Sequence, residues 1–112
     1  MQFKKIPLPL LDTCLWVGAA ATDEDFVKGR KRFGDQDEDP CDGIYIRDGD
    51  EHAVVFHNDA LDTSLVVHEI FHATHGILDS AGHRFDPDNH EIFARMAEFL
   101  YRETCKLLNV TL

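Results

Sequence analysis

The chain has 112 residues, of which 44% are hydrophobic and 29% are charged, and acidic residues outnumber basic ones by 21 to 11. This composition excludes a disordered or collagen-like chain, and no apolar run approaches the ~20 residues that a membrane-spanning helix needs. The net charge of −10 repels phosphate backbones, so we expect no nucleic-acid partner and no membrane partner. The length predicts one domain over residues 1–112.

The cysteines are few, odd in number and scattered, and no C-x-x-C pair occurs among them. They are Cys14, Cys41 and Cys105. This excludes a thiolate zinc ribbon and a thioredoxin-type redox pair, and it favours a reducing compartment. The N-terminus faintly resembles a signal peptide, but Pro7 and Pro9 interrupt its apolar core. We therefore expect a cytoplasmic protein.

In the first half of the chain, residues 10–20 are rich in apolar and β-compatible types and predict a strand. Acidic residues 23–25 then open a short helical pattern that contains Phe26 and Phe33, and basic residues lie near its end. Residues 34–43 form an acidic loop. The loop lacks the ligand spacing of an EF-hand, so a solvated linker is favoured over a calcium site.

In the second half, Ile44–Arg47 and Ala53–His57 are β-rich runs around an Asp-Gly turn, which predicts a hairpin. A helical period then covers about Asp62 to Ser80, with Asp62 available as N-cap. A last helix is expected from about Pro87 to Leu108, with Asp86 as its N-cap. The order predicts an α+β fold, in which a short, mainly antiparallel sheet packs on two helices.

The segment from His68 to His72 reads H-E-x-x-H within the first of these long helices. Residues four apart share one helix face, with Cβ atoms roughly 6 Å apart, so both imidazoles can bind the same metal ion. Glu69 lies one step around the helix, where it can take a proton from a water on the metal as a general base. The pattern therefore predicts His68 and His72 as Zn²⁺ ligands and Glu69 as the catalytic residue.

Other interpretations of these residues stay open. With 7 His and 7 Glu among 112 residues, composition alone gives H-E-x-x-H with odds of roughly 0.03. A histidine on a buried helix face is often a core residue, and Glu69 could pair with a cation. A di-iron carboxylate site is weaker, because no second E-x-x-H accompanies the one that ends at His72.

With this motif, residues 43–108 resemble the zincin metallopeptidases. The resemblance implies a minimal zincin-like domain whose metal-site half is this segment. It also implies that a strand at the sheet edge leads into the metal-binding helix and pairs with the substrate backbone. In this sequence, Ala53–His57 would be that edge strand.

The subclass of zincin depends on the third metal ligand. The metzincin pattern needs a histidine six residues after His72, where this chain has Leu78. The gluzincin pattern takes a glutamate from the next helix, often within E-x-x-A, and Glu91 to Ala94 match it nineteen residues after His72. The resemblance is strongest to small gluzincin-type domains, including phage-encoded ones, and it implies Glu91 as the third ligand.

One position departs from the fuller gluzincin pattern, because Arg95 stands where an aspartate usually orients a ligand histidine. Asp79 or Glu98 could supply that carboxylate. Glu91 has an ordinary alternative as well, namely an i,i+4 ion pair with Arg95 on a solvated face. His90, His75 and Asp79 are rival third ligands.

Residues outside the motif are weaker candidates for contacts with substrate. Their rings could line the cleft or stabilise an oxyanion, although each is more often a packing or surface residue. The substrate-binding candidates are His57, His75 and Tyr101, and Tyr45 is a further possible oxyanion donor.

The leading hypothesis is a zinc-dependent peptidase that acts on a peptide or protein substrate. The alternative is a non-catalytic zincin-like module, for example a phage assembly or accessory protein. So small a chain offers little material for a second cleft wall, so a protein partner or a second copy of the chain could complete the site. If the protein is phage-encoded, the host cytoplasm is its expected location.

Overall fold

The structure is a computed structural model that describes residues 1–111 and folds them into a mixed four-stranded sheet with three helices. Its elements are β1 (Lys4–Leu8), β2 (Thr13–Ala20), α1 (Asp23–Arg32), β3 (Gly43–Asp48), β4 (Glu51–His57), α2 (Thr63–Ser80) and α3 (His90–Leu108). The strand order is β1-β2-β4-β3, in which β2 and β4 are parallel and the other two pairs are antiparallel. The predicted α+β class is confirmed.

The N-terminal strand β1 was not predicted from the sequence. Pro7 pairs with Cys14 in the β1–β2 ladder, and among residues 1–111 no strand pairs with the other side of β1. An edge strand tolerates proline, because the missing N–H need not serve the ladder. The expected strand at residues 10–20 is shorter, since Pro9–Leu11 form a 3₁₀ turn and Asp12 is left-handed with φ 53°.

The two strands of the hairpin differ in their neighbours. Ala53–His57, expected at the sheet edge, lies instead between β2 and β3, and the prediction of an edge position was wrong. The physical reason is that residues 52–56 are all buried, as befits a central strand covered on both faces. Therefore β3, which packs against α2, is the edge strand beside the helix that carries the H-E-x-x-H segment.

Two layers of apolar side chains cover the faces of the sheet. Along β4, Val54 and Phe56 join the cluster under α2 and α3, whereas Ala53 and Val55 join the cluster under α1. This alternation is the two-residue period of a strand. Within residues 1–111, no helix is long and apolar enough to cross a membrane.

The ends of the long helices are set by local capping. Asp62 caps α2, and its carboxylate accepts a hydrogen bond from the Leu65 backbone N–H at 2.8 Å. The last helix begins at His90 rather than at Pro87. Asp86 does not cap it, because its carboxylate instead accepts the Asp88 and Asn89 N–H groups in a tight turn before the helix.

Candidate metal centre

Helix α2 brings His68, Glu69 and His72 together. The two imidazole rings lie 5.0 Å apart between centroids, on the solvent-facing side of the helix. One ligand atom from each of the three residues lies within 4.8 Å of the other two. The i,i+4 spacing therefore produces the convergence that a single ion needs.

The donor set suits zinc. Two ring nitrogens at 2.0–2.1 Å from a tetrahedral ion are about 3.4 Å apart, so small side-chain rotations reach that geometry from the observed separation. Nitrogen and carboxylate oxygen are ordinary zinc ligands. His68 and His72 are exposed, which leaves room for further ligands on the outer side.

The carboxylate of Glu69 points away from solvent, towards the edge strand. Its side chain is 5% exposed, and it lies against Gly43 at the start of β3. A Cβ at position 43 would be 3.2 Å from Glu69 Cγ and 3.3 Å from Oε2, so glycine leaves the space that the carboxylate occupies. Burial raises the pKa of Glu69, and the neighbouring imidazoles of His68 and His72 lower it by less. A raised pKa suits a group that must accept a proton and release it again.

Glu91 lies outside this group of side chains. It is at the start of α3, it is exposed, and its carboxylate pairs with Arg95 at 3.3 Å. The i,i+4 alternative considered for Glu91 is therefore present in the structure. This pairing does not test Glu91 as the third ligand, which stays a prediction.

The two carboxylates suggested as replacements for the missing aspartate are both paired elsewhere. Asp79 accepts a hydrogen bond from Arg47 at 3.1 Å, and Glu98 pairs with Arg102 at 3.1 Å. Both ion pairs are exposed, and neither carboxylate belongs to the convergent group of His68, Glu69 and His72.

His75 lies one turn beyond His72 within an aromatic cluster. Its ring centroid is 4.5 Å from that of Phe71, 5.0 Å from Phe93 and 5.4 Å from Phe85. Phe71 and Phe85 are each 59% exposed, although they are large and apolar. These rings line a cavity of about 300 Å³ between α2 and α3, which adjoins the candidate metal centre through Phe71.

His57 lies at the end of β4, where it stacks on Phe26 at 4.2 Å and its Nε2 is 3.3 Å from Asp23. It lines a groove of about 520 Å³ together with Cys41 and Asp42. Asp42 directly precedes Gly43, so this groove leads to the strand that touches Glu69.

The remaining aromatic candidates are engaged in packing. Tyr101, on α3, is half-buried and packs against the apolar cluster under α2 and α3. The Tyr45 hydroxyl is 2.7 Å from Nδ1 of His52. Burial raises the pKa of Tyr45 to about 12 and lowers the pKa of His52, so both side chains are neutral at pH 7.

Sequence reasoning missed three residues that shape the site, namely Gly43, His52 and Gly76. The available indication was a glycine inside a helical pattern at position 76, since such a glycine often marks a close approach. The roles of Gly43 and His52 depend on how β3 and β4 pack against α2, and the spacing of residues along the chain does not reveal this packing.

No family model matches the chain, and no curated protein or solved structure matches it significantly. Its function must therefore be inferred from the geometry of its own side chains.

Proposed function

We propose that the protein is a zinc-dependent peptidase of the gluzincin type, with His68 and His72 as metal ligands and Glu69 as general base. The observation that carries this proposal is the convergence of these three side chains within 4.8 Å, with the carboxylate buried and both imidazoles exposed. A closed structural zinc site tends to use four protein ligands, whereas an open site with a carboxylate beside it suits catalysis. The proposed location is the cytoplasm, or the host cytoplasm for a phage-encoded protein.

The residues of this chain divide the chemistry between them. His68 and His72 would hold a zinc ion, which would supply Lewis-acid chemistry and lower the pKa of a nearby water to about 7. Glu69 accepts a proton from the attacking water and passes it to the leaving amine. Because Glu69 lies against the Gly43 backbone, its carboxylate is held on one side of the imidazole pair. Glu91, on release from Arg95, is the proposed third ligand.

The surroundings of the metal centre favour a peptide or protein substrate. Strand β3 has a free edge beside α2, along which an extended peptide backbone can pair. The aromatic cavity at His75 offers an apolar wall, and the groove at His57 offers a polar one. We propose His75 and His57 as substrate contacts, whereas Tyr101 keeps that role only if α3 shifts on binding.

One observation favours a second candidate, a metal-binding module without turnover. Glu91 is paired with Arg95, and the two histidines lie on an exposed surface. A protein partner or a second copy of the chain would then provide the remaining ligand or the second wall of the cleft.

Metal analysis and two variants test the proposal. The purified protein should hold about one zinc per chain, and Glu69→Gln should keep that zinc while losing at least a hundredfold of peptide hydrolysis. His72→Ala should lose most of the zinc. His83→Ala, a histidine outside the convergent group, is the matched control and should change neither value.

Two results would decide against the proposal. Absence of bound zinc in the wild type, after purification without chelators and incubation with zinc, would exclude both metal-dependent candidates. Stoichiometric zinc without hydrolysis of an unfolded protein substrate would leave the binding module as the function.

A further inference from the structure

Tyr45 fits into a notch on the metal-binding helix that is created by Gly76. A Cβ built at position 76 would overlap the Tyr45 hydroxyl oxygen and would lie 2.5 Å from its Cζ. No side chain other than hydrogen fits there while the ring stays in place. Glycine is a poor helix former, so its position inside α2 needs a packing reason, and the Tyr45 ring supplies one.

His52 holds the Tyr45 ring in this notch. The Tyr45 hydroxyl lies 2.7 Å from Nδ1 of His52, and the two rings are stacked with an interplanar angle of 8°. His52 is 1% exposed, and its other nitrogen is 3.4 Å from the Ser80 hydroxyl. Therefore β3, β4 and α2 meet at one aromatic pair, in which His52 is buried and Tyr45 is half-buried.

Tyr45 shares its face of β3 with Gly43, because side chains two apart point to the same side of a strand. On that face, Gly43 contacts Glu69 and Tyr45 contacts Gly76, so the two contacts follow one another along α2. A strand is stiff over two residues, so a displacement at Tyr45 is passed to Gly43 and to the neighbouring carboxylate.

We infer that Tyr45 is a positioning residue. Because its ring packs against Gly76 and hydrogen-bonds to His52, it fixes the position of β3 on α2. Through Gly43, β3 then holds Glu69 in place. This inference depends on the proposed function for its catalytic consequence. The packing that carries it is a property of the chain alone.

The test enlarges the notch residue. Gly76→Ala should keep the zinc content of the wild type, because position 76 is neither of the two ligand histidines. The nuclear Overhauser effect between the Gly43 α-protons and the Glu69 γ-protons should be lost. In peptide hydrolysis, kcat should fall roughly ten- to a hundredfold with KM within about threefold, as expected when a catalytic group is misplaced by about 1 Å.

A control and a double variant separate positioning from general damage. Arg47→Ala removes the Arg47–Asp79 pair between the same strand and helix while leaving Tyr45, His52 and Gly76 unchanged, and it should change neither readout. Tyr45→Val removes the ring and should itself weaken the Gly43–Glu69 effect and lower kcat. In that background, Gly76→Ala should add no further loss, because the clash has been removed.

The outcomes distinguish the inference from the proposed function. The inference is overturned if Gly76→Ala preserves the nuclear Overhauser effect between Gly43 and Glu69. It is also overturned if Gly76→Ala lowers kcat by the same factor in the wild type and in Tyr45→Val. If Gly76→Ala does not fold, Tyr45→Val with unchanged contact and kcat overturns it instead. If the wild type hydrolyses no peptide, the proposed function fails, and the Gly43–Glu69 effect still decides the positioning role.

Discussion

Glu69 and His52 are both buried, and burial disfavours the charged form of each side chain. The resulting pKa shifts have opposite directions, because one group is an acid and the other is a base. Burial raises the pKa of the acid, Glu69, and lowers the pKa of the base, His52. Burying the Glu69 carboxylate costs free energy of folding. The proposed proton-accepting role explains why the residue is buried nevertheless. For His52, burial is compatible with folding because the ring stays neutral and bonds to Tyr45.

The state of His52 predicts how stability depends on pH. The unfolded chain binds a proton at His52 near its usual pKa of about 6.5, and the folded chain binds one only at a lower pH. The contribution of His52 to stability is therefore complete above pH ~6.5 and is lost as the pH falls through the folded-state pKa. Melting temperatures of wild type and His52→Gln, followed by circular dichroism from pH 7.5 to 5, should show a steeper fall for the wild type.

Parallel slopes for the two proteins would contradict this prediction. The comparison uses the difference between the slopes, because the six other histidines are present in both proteins. The charged groups that act on His52 are Arg47 and Asp50, and both are retained in the variant.

At the scale of elements, local signals were sufficient to predict the helix that carries the candidate metal centre. Asp62 predicts its start, and the H-E-x-x-H spacing predicts that both imidazoles share a face, as observed. Strand positions were less predictable, because the sheet order depends on the parallel pairing of β2 with β4 across α1. This long-range pairing puts β4 in the centre and leaves β3 at the edge, and no local pattern encodes it.

The same limit applies to the candidate site. His68, Glu69 and His72 follow from spacing within one helix, whereas Gly43 reaches Glu69 only through tertiary packing. The start of α3 was misplaced because Asp86 forms a local turn whose hydrogen bonds compete with capping.

The first turn of α3 gives a prediction of its own. If Glu91 is the third ligand, Glu91→Ala should weaken zinc binding by roughly ten- to a hundredfold, a loss comparable to that of other metal-site contacts. Arg95→Ala frees the Glu91 carboxylate from its ion pair and should bind zinc at least as tightly as the wild type. Competition with a chromophoric chelator measures both affinities.

His90→Ala is the neighbouring control, since His90 precedes Glu91 at the beginning of the same helix. A larger loss of affinity in His90→Ala than in Glu91→Ala would assign the third ligand to the histidine. Equal affinity of Glu91→Ala and wild type would remove Glu91 from the metal centre.

For the whole molecule, the dominant electrostatic fact is the net charge of −10. Several ion pairs, such as Lys28–Glu24, are exposed and local, so they contribute little to stability. The excess acids repel one another in the folded state more than in the expanded unfolded chain.

Added salt should therefore stabilise the protein. Raising NaCl from about 0.01 M to 0.15 M shortens the Debye length from about 30 Å to 8 Å and weakens the repulsion. The melting temperature, measured at pH 7 with a chelator present, should rise by a few degrees. A melting temperature that stays level or falls would show that attractive pairs outweigh the excess charge.

The parallel contact between β2 and β4 has a consequence for how the chain is assembled. The paired residues run from Leu15 and His52 to Ala20 and His57. The sheet face on which α2 packs is therefore built from both halves of the sequence. A fragment that started at Gly43 would leave one flank of β4 without hydrogen-bond partners and both its apolar faces partly bare. The packing of α2 on the sheet therefore depends on contacts between residues far apart in the sequence, and such non-local contacts slow folding.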